Sequence, residues 1–591
     1  MLPVAAVMFG VALPSAEAQL VPTQVADIRP GGAGSEPGPG QALGAQLIFA
    51  AESDPSTGFE PHVSDGTAAG TTLLKDINPG PGSSDVFSFT VLGDVLYFGA
   101  DDGTTGSELW RTDGTATGTV QVKDINLGAD DSSIRALTAF KGLLFFSAND
   151  GLNGSELWRS DGTDTGTTMV KNINAAGGAF FDTQIVPFGD FVYFGASDGA
   201  NGEELWRSDG TDAGTTPVKN IGPAGASGLS TGTFDPLVVF AGQLYFAADD
   251  GATGRELWRS DGTDAGTVPV KDINPAGASS PREFAEMGGI LYFSAADASG
   301  AELWRTDGSA AGTIPVADVN SGPESSFPSD TTALNGVLLF TADDNPDPDG
   351  FDAELWRSDG TAAGTVKLSE ITAGGFENPF INSLTVLGDS VYFSASDEET
   401  GSELWRSDGT TEGTTQVADI NPGSNDSEAG GNYVGRIGFA RFQDTLYFPA
   451  TSPAGRELWR LSEPPAVDAT APVLTLETPG KKKLKRNLNL GVSCDEACEI
   501  SGSGTVVAKP AKKGQRALAS RAKKQRFKLS GPPVSLAAGA QGALTLSLSK
   551  KSFKKAKKAK REGAKLKAQI TITASDAANN ASDQPLKLKL G

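Results

Sequence analysis

The chain is poor in the residues that most enzymes and disulfide scaffolds depend on. Among its 591 residues stand two cysteines, one histidine and four methionines. Two cysteines exclude a fold built on disulfides. A single histidine excludes multi-histidine metal sites, and its place in a repeat, described below, excludes a histidine-based triad. Only 20% of residues are charged, and no apolar run reaches the ~18 residues that span a bilayer as a helix. No phosphate-cradling glycine motif is present, and no helix-period apolar pattern competes with the alternation typical of strands. The 74 glycines point instead to many turns.

What is abundant is repetition. The stretch Glu-Leu-Trp-Arg-Ser-Asp-Gly-Thr occurs letter for letter at 156–163, 204–211, 256–263, 354–361 and 403–410, with close variants at 108–115 and 302–309. All eight tryptophans lie in it: Trp110, Trp158, Trp206, Trp258, Trp304, Trp356, Trp405 and Trp459. They are spaced by 48, 48, 52, 46, 52, 49 and 54 residues. Counting back 48 from Trp110 reaches His62, so the only histidine fills a tryptophan slot in a degenerate first copy, the ninth in all. A fixed period of about 50 residues is the mark of a repeat architecture.

One copy, residues 89–128, parses into four short strands: "FTVL", "VLYFGA", "SELWRT" and "VQVKDI". Aromatic and β-branched residues favour strands, and the Asp-Gly and Asn-Leu-Gly segments between them favour turns. Four strands per repeat predict an all-β chain with a β-propeller of nine blades over 19–463. The entering segment "TQVADIRPG" (23–31) matches a fourth strand, while the last copy stops after its third at "RELWRL" (456–461). The N-terminal strand is therefore expected to complete the last blade and close the ring. With its motif, the region 21–462 resembles the ELWxxDGT-repeat family of bacterial, mostly secreted proteins. That resemblance implies a surface or extracellular protein and brings no assigned activity.

From each motif Trp (or His62) to the Ile or Val of the fourth strand the distance is always 15. The connections at the opposite face vary in length, at 224–235, 343–352 and 423–436. Loops that vary on a rigid scaffold carry function, so this face is expected to contact ligand. The insertion "DDNPDPDG" is the candidate cation loop, with Asp343, Asn345, Asp347, Asp349 and Asp352 offered to Ca2+. A calcium loop would want a Glu where Trp356 stands. The motif tryptophans are expected to fill the blade core, with an exposed lectin-like ring as the alternative. The Arg after each Trp is expected to pair with a nearby Asp.

Charge divides the chain. Residues 1–465 carry 22 Lys and Arg against 65 Asp and Glu, a formal −43, whereas residues 466–591 carry 26 against 8, a formal +18. Such a sign change marks a domain boundary, here with a linker over 464–470. The basic segment 471–591 reads as about seven strands and resembles the Ig-like modules of actinobacterial surface proteins in "SCDEACEISGSGTV" (493–506) and "ITITASDAANNAS" (570–582). An Ig-like β-sandwich is expected, with Cys494 and Cys498 forming a disulfide across a hairpin tip. At the other end, an apolar core and Ala16-Glu17-Ala18 predict a signal peptide over 1–18, although no Lys or Arg precedes that core.

Together these features predict a secreted or cell-surface protein that is not an enzyme: a binding, adhesion or matrix protein. Its expected partners are an extracellular glycan or protein at the variable loops and an anionic cell-envelope polymer at the basic tail. Nucleic acid is disfavoured because no aromatics interleave with the lysines. The rival reading is a carbohydrate-active propeller enzyme, glycosidase-like or lyase-like, working through loop carboxylates.

Overall fold

Each repeat contains a run such as Leu-Tyr-Phe-Gly-Ala beside Glu-Leu-Trp-Arg, and a strand this apolar must be covered on both faces. In the computed structural model it is. The structure describes residues 20–179, 184–223, 225–229, 237–344, 353–369, 371, 379–397, 399–430, 438–462, 474–476, 484–494, 498–509, 524–536, 541–562, 564–575 and 581–590. The chain parts into two compact bodies, Gln19–Ser462 and Glu463–Gly591.

The first body is a nine-bladed β-propeller of four-stranded antiparallel sheets. Blade two is representative: Phe87–Leu92, Val95–Asp101, Ser107–Thr112 and Val120–Lys123, paired in that order. The second strand of every blade is buried almost throughout, and Phe49, Phe98, Phe146, Phe194, Phe293, Phe340 and Phe393 are fully enclosed. Each hydrophobic cluster joins residues of two successive blades, as Leu96 and Phe98 of blade two join Ile48, Leu74 and Ile77 of blade one. The first strands ring the axis. Thr90 donates to the Leu137 carbonyl at 2.8 Å, and Thr138 to the Ile185 carbonyl at 3.0 Å, each from one first strand to the next.

Closure follows the expected route. Val21–Gln24 pairs antiparallel with Gly455–Ser462, placing Gln24 opposite Trp459, and it becomes the outer strand of blade nine.

The second body corrects the sandwich expectation. Eight strands form one curved, half-barrel sheet rather than two packed sheets. The reason lies in Cys498–Lys509, which is 12 residues long. Along one edge it pairs with Lys565–Ser575 over 11 positions. Along its other edge it takes Gln525–Ser530 and Val534–Leu536. A strand paired on both edges leaves no seam at which the sheet could split. One core lies beneath one face, and Ala556 and Phe553 of the helix Lys550–Arg561 pack into it. Ser549 caps that helix by accepting from the Ser552 N–H at 3.1 Å. Cys494 and Cys498 form the expected disulfide.

Candidate functional site

The repeated motif is a fastening. Its Glu is buried in every described copy, at no more than 2% exposure. In blade two Glu108 accepts from the Ile125 N–H at 2.8 Å and the Asn126 N–H at 3.3 Å. In blade six Glu302 accepts from the Val319 N–H at 2.8 Å, the Ser326 N–H at 3.0 Å and the Ser326 hydroxyl at 2.7 Å. The carboxylate thus satisfies backbone donors where the chain leaves one blade for the next. Burial pushes Glu60, Glu108, Glu156 and Glu403 up to about 7, against the lowering effect of those donors.

Among the described residues no motif Arg makes an ion pair with an acid, contrary to expectation. Arg159 Nη1 donates to the Gly210 carbonyl of the next blade at 2.7 Å, and Arg207, Arg259, Arg305 and Arg357 repeat the bond to Gly262, Gly308, Gly360 and Gly409. The hairpin Asp is already engaged. Asp161 accepts from the Thr163 N–H at 2.9 Å and the Thr163 hydroxyl at 2.6 Å, closing the Asp-Gly-Thr turn. The tryptophans Trp110, Trp158, Trp206, Trp258, Trp304 and Trp356 are buried between blades, while Trp405 and Trp459 are half-buried. His62 sits opposite Phe49 in the register that Trp110 keeps with Phe98. Its Nδ1 lies 3.0 Å from the Glu60 carbonyl, and burial lowers its pKa.

Of the cation loop, Asn345, Asp347, Asp349 and Asp352 lie outside the described residues. Asp343 is buried at the end of its strand, and the adjoining Asp344 pairs with Lys367 at 2.9 Å. Of the other two variable loops, 224, 230–235 and 431–436 also lie outside the described residues.

The departures from the repeat gather elsewhere, at the channel end of blades six to eight. Five first strands carry a bulge with a residue at positive φ: Ser88, Ala136, Glu283, Asp330 and Ser383. Three are small, and the two carboxylates fall in successive blades, six and seven. Their strands, Arg282–Met287 and Ser329–Leu334, lie side by side at the axis. The Asp330 backbone N–H lies near enough to the Glu283 carboxylate to lower its pKa. Both groups are half-buried. Burial, and then the charge of Glu283, push Asp330 up to about 6, and burial raises Glu283 as well. The charge of Arg282 opposes the rise at Glu283.

Aromatic residues stand beside this pair. Phe327 and Phe380 occupy one repeat position in blades seven and eight, where other blades carry Glu36, Asp85, Ser133, Ser280 and Glu428, all at positive φ. They are among the few exposed large hydrophobic residues, at 41% and 64%. The Arg282 guanidinium lies 5.9 Å from the Phe327 ring centre. Sequence reasoning passed over all four residues because it weighed the motif and the loop lengths. Aligning the copies on their first turn would have shown Glu283 and Asp330 as the two acids in a column otherwise of Pro, Ser, Ala, Gln and Gly.

No family model matches the chain, and no curated protein matches it. Among solved structures it is similar to puromycin hydrolase, at 14% identity and a TM-score of 0.31, over 63% of this chain and 60% of that one. It is also similar to prolyl oligopeptidase B from Galerina marginata, at 12% and 0.33, over 69% and 55%. A puromycin-hydrolyzing peptidase of Mycobacterium tuberculosis matches at 12% and 0.30, over 64% and 61%. The chain thus spans less than two thirds of each, and at these scores the likeness says nothing of substrate. These neighbours are named as hydrolases and peptidases, against the expectation of a binding protein without enzymatic activity, which is not carried further.

Proposed function

We propose that the protein is an acid–base enzyme that cleaves glycosidic bonds at the channel mouth of blades six to eight. The observation that carries this reading is the Glu283–Asp330 pair on adjacent first strands, where burial and then the charge of Glu283 push Asp330 up to about 6. Cleavage between sugars needs an acid to protonate the departing oxygen and a base to activate water or take a proton. Two carboxyls on adjacent strands, one protonated and one charged, supply both. Phe327 and Phe380 offer exposed apolar faces on which a sugar ring can rest while its hydroxyls stay in water. The chain's one histidine is enclosed in blade one, which leaves carboxylates as the proton carriers of this site.

The test is release of reducing ends from a panel of neutral and acidic polysaccharides by the full chain. Glu283→Gln and Asp330→Asn should each lower the rate on the responsive substrate by about 100-fold or more. Phe327→Ala should mainly raise KM. Failure to turn over any polysaccharide, or equal rates for the parent protein and the double variant, would overturn the reading. So would peptide hydrolysis that depends on the same pair.

A further inference from the structure

The outward face of the second body is a lysine surface with a cavity in it. The strand Lys565–Ser575 alternates without a break: Leu566, Ala568, Ile570 and Ile572 turn inward to the core, while Lys565, Lys567 and Gln569 turn outward. Neighbouring strands repeat the pattern, so lysines face lysines across the ladder. Lys567 stands opposite Lys589, and Lys565 opposite Lys509. Like charges directly opposite weaken a sheet, and a face that keeps two such pairs is one whose charge is met from outside.

A cavity of about 360 Å³ opens between them, lined by Lys509, Lys524, Lys567, Lys587 and Lys589 over a floor that includes Val507. No carboxylate lines it, and none of these lysines makes an ion pair among the described residues. Val507 is 3% exposed, so the lysine stems cover the floor while their ammonium groups reach solvent.

We propose that this face binds a linear acidic polysaccharide through its carboxylate groups. Outward lysines recur every second residue along a strand, roughly 7 Å apart, and about 5 Å apart between strands. That array suits a polymer bearing one charge per repeat. The cations that line the cavity are all lysines, point charges that accept a single carboxylate, and a forked cation stands only beside it, in Arg526 opposite Val507. No aromatic ring lines the cavity, so bases of a nucleic acid would find nothing to stack on. Gln569 and Thr571 extend the outward row with groups that bond to sugar hydroxyls.

The test uses the full chain with polygalacturonate as probe, and with neutral dextran, polyphosphate and single-stranded DNA as competitors. Lys567→Glu/Lys587→Glu/Lys589→Glu should weaken binding at least tenfold, and the slope of log K against log salt should fall by about 0.7 for each lysine removed. Lys551→Glu/Lys555→Glu/Lys558→Glu changes the charge equally but sits on the helix, and it should change affinity less than threefold. The Gln versions of the first three guard against misfolding and should weaken binding in the same order. Equal losses from the helix and sheet variants would overturn the proposal, as would displacement by DNA or polyphosphate at lower concentration than polygalacturonate. Glu283→Gln should leave binding unchanged, so failure of the channel chemistry and failure of this surface are separately visible.

Discussion

Arg460 Nη1, in the last blade, donates to the carbonyl of Gly66, in the first, at 2.9 Å. The same bond joins Arg111 to Gly162 at 3.1 Å inside the ring, so the seam between chain ends is fastened like an interior joint. Blade eight lacks the bond among the described residues, because blade nine ends at Ser462 without the Asp-Gly hairpin that would offer Arg406 a carbonyl. There the ring relies instead on Arg456, which reaches Glu428 at 3.1 Å and Glu36 at 3.6 Å.

Removing the clasp should cost the same wherever it is removed. Arg159→Ala and Arg460→Ala should each lower stability by about 1–2 kcal/mol, the scale of a charge-assisted, half-buried hydrogen bond. Thermal melting of the two variants checks this. A much larger loss for Arg460→Ala would mean that the seam is weaker than the interior joints.

The motif carboxylate is held more firmly. Glu156→Ala strands the Ile173 and Asn174 N–H groups, which it holds at 2.9 and 3.1 Å. Leaving two buried donors unmet should cost about 3 kcal/mol, visible as a shift in denaturant midpoint.

Stability should also fall as pH rises. Folded Glu60, Glu108, Glu156 and Glu403 sit at about 7 against an ordinary 4.5, so the folded state binds more protons across that window. Their contribution is full below pH 4.5 and is lost as pH passes 7. The turn aspartates, Asp113 and Asp161 among them, act oppositely: their hydroxyl and N–H donors lower their pKa, so their contribution fades only below about 3.8. Melting temperature should therefore be higher at pH 5 than at pH 8 and should fall again toward pH 3. An unchanged melting temperature between pH 5 and 8 would show that the buried donors outweigh burial at these glutamates.

The second glycine of the hairpin answers to space. A Cβ on Gly166 would lie 2.0 Å from Asp161 Oδ1, inside the closed Asp-Gly-Thr turn. Gly166→Ala should cost about 1–3 kcal/mol through loss of that turn, measured by thermal melting beside Thr165→Ala as the surface control.

At the channel, Glu283→Gln removes the charge that helps to raise Asp330. Any residual activity that needs protonated Asp330 should then fall off at lower pH than in the parent, whose limb should lie near 6. The pH profile of kcat/KM reads this directly.

The propeller was legible along the chain because everything that makes a blade is local. The 15-residue step from Trp to the fourth strand, the alternating apolar runs and the Asp-Gly turns all lie within one repeat, and nine copies average out any single ambiguity. Even the closure could be read, since a missing fourth strand at one end matched a surplus one at the other. The tail was not legible in the same way. Its strands stand where alternation puts them, but whether they form one sheet or two depends on the partners taken by Cys498–Lys509, which lie up to 76 residues away, as between Glu499 and Ser575. The channel pair required the fold outright. Glu283 and Asp330 are 47 residues apart and ordinary in composition, and only the ring brings two first strands side by side at the axis, where burial and the charge of Glu283 raise Asp330.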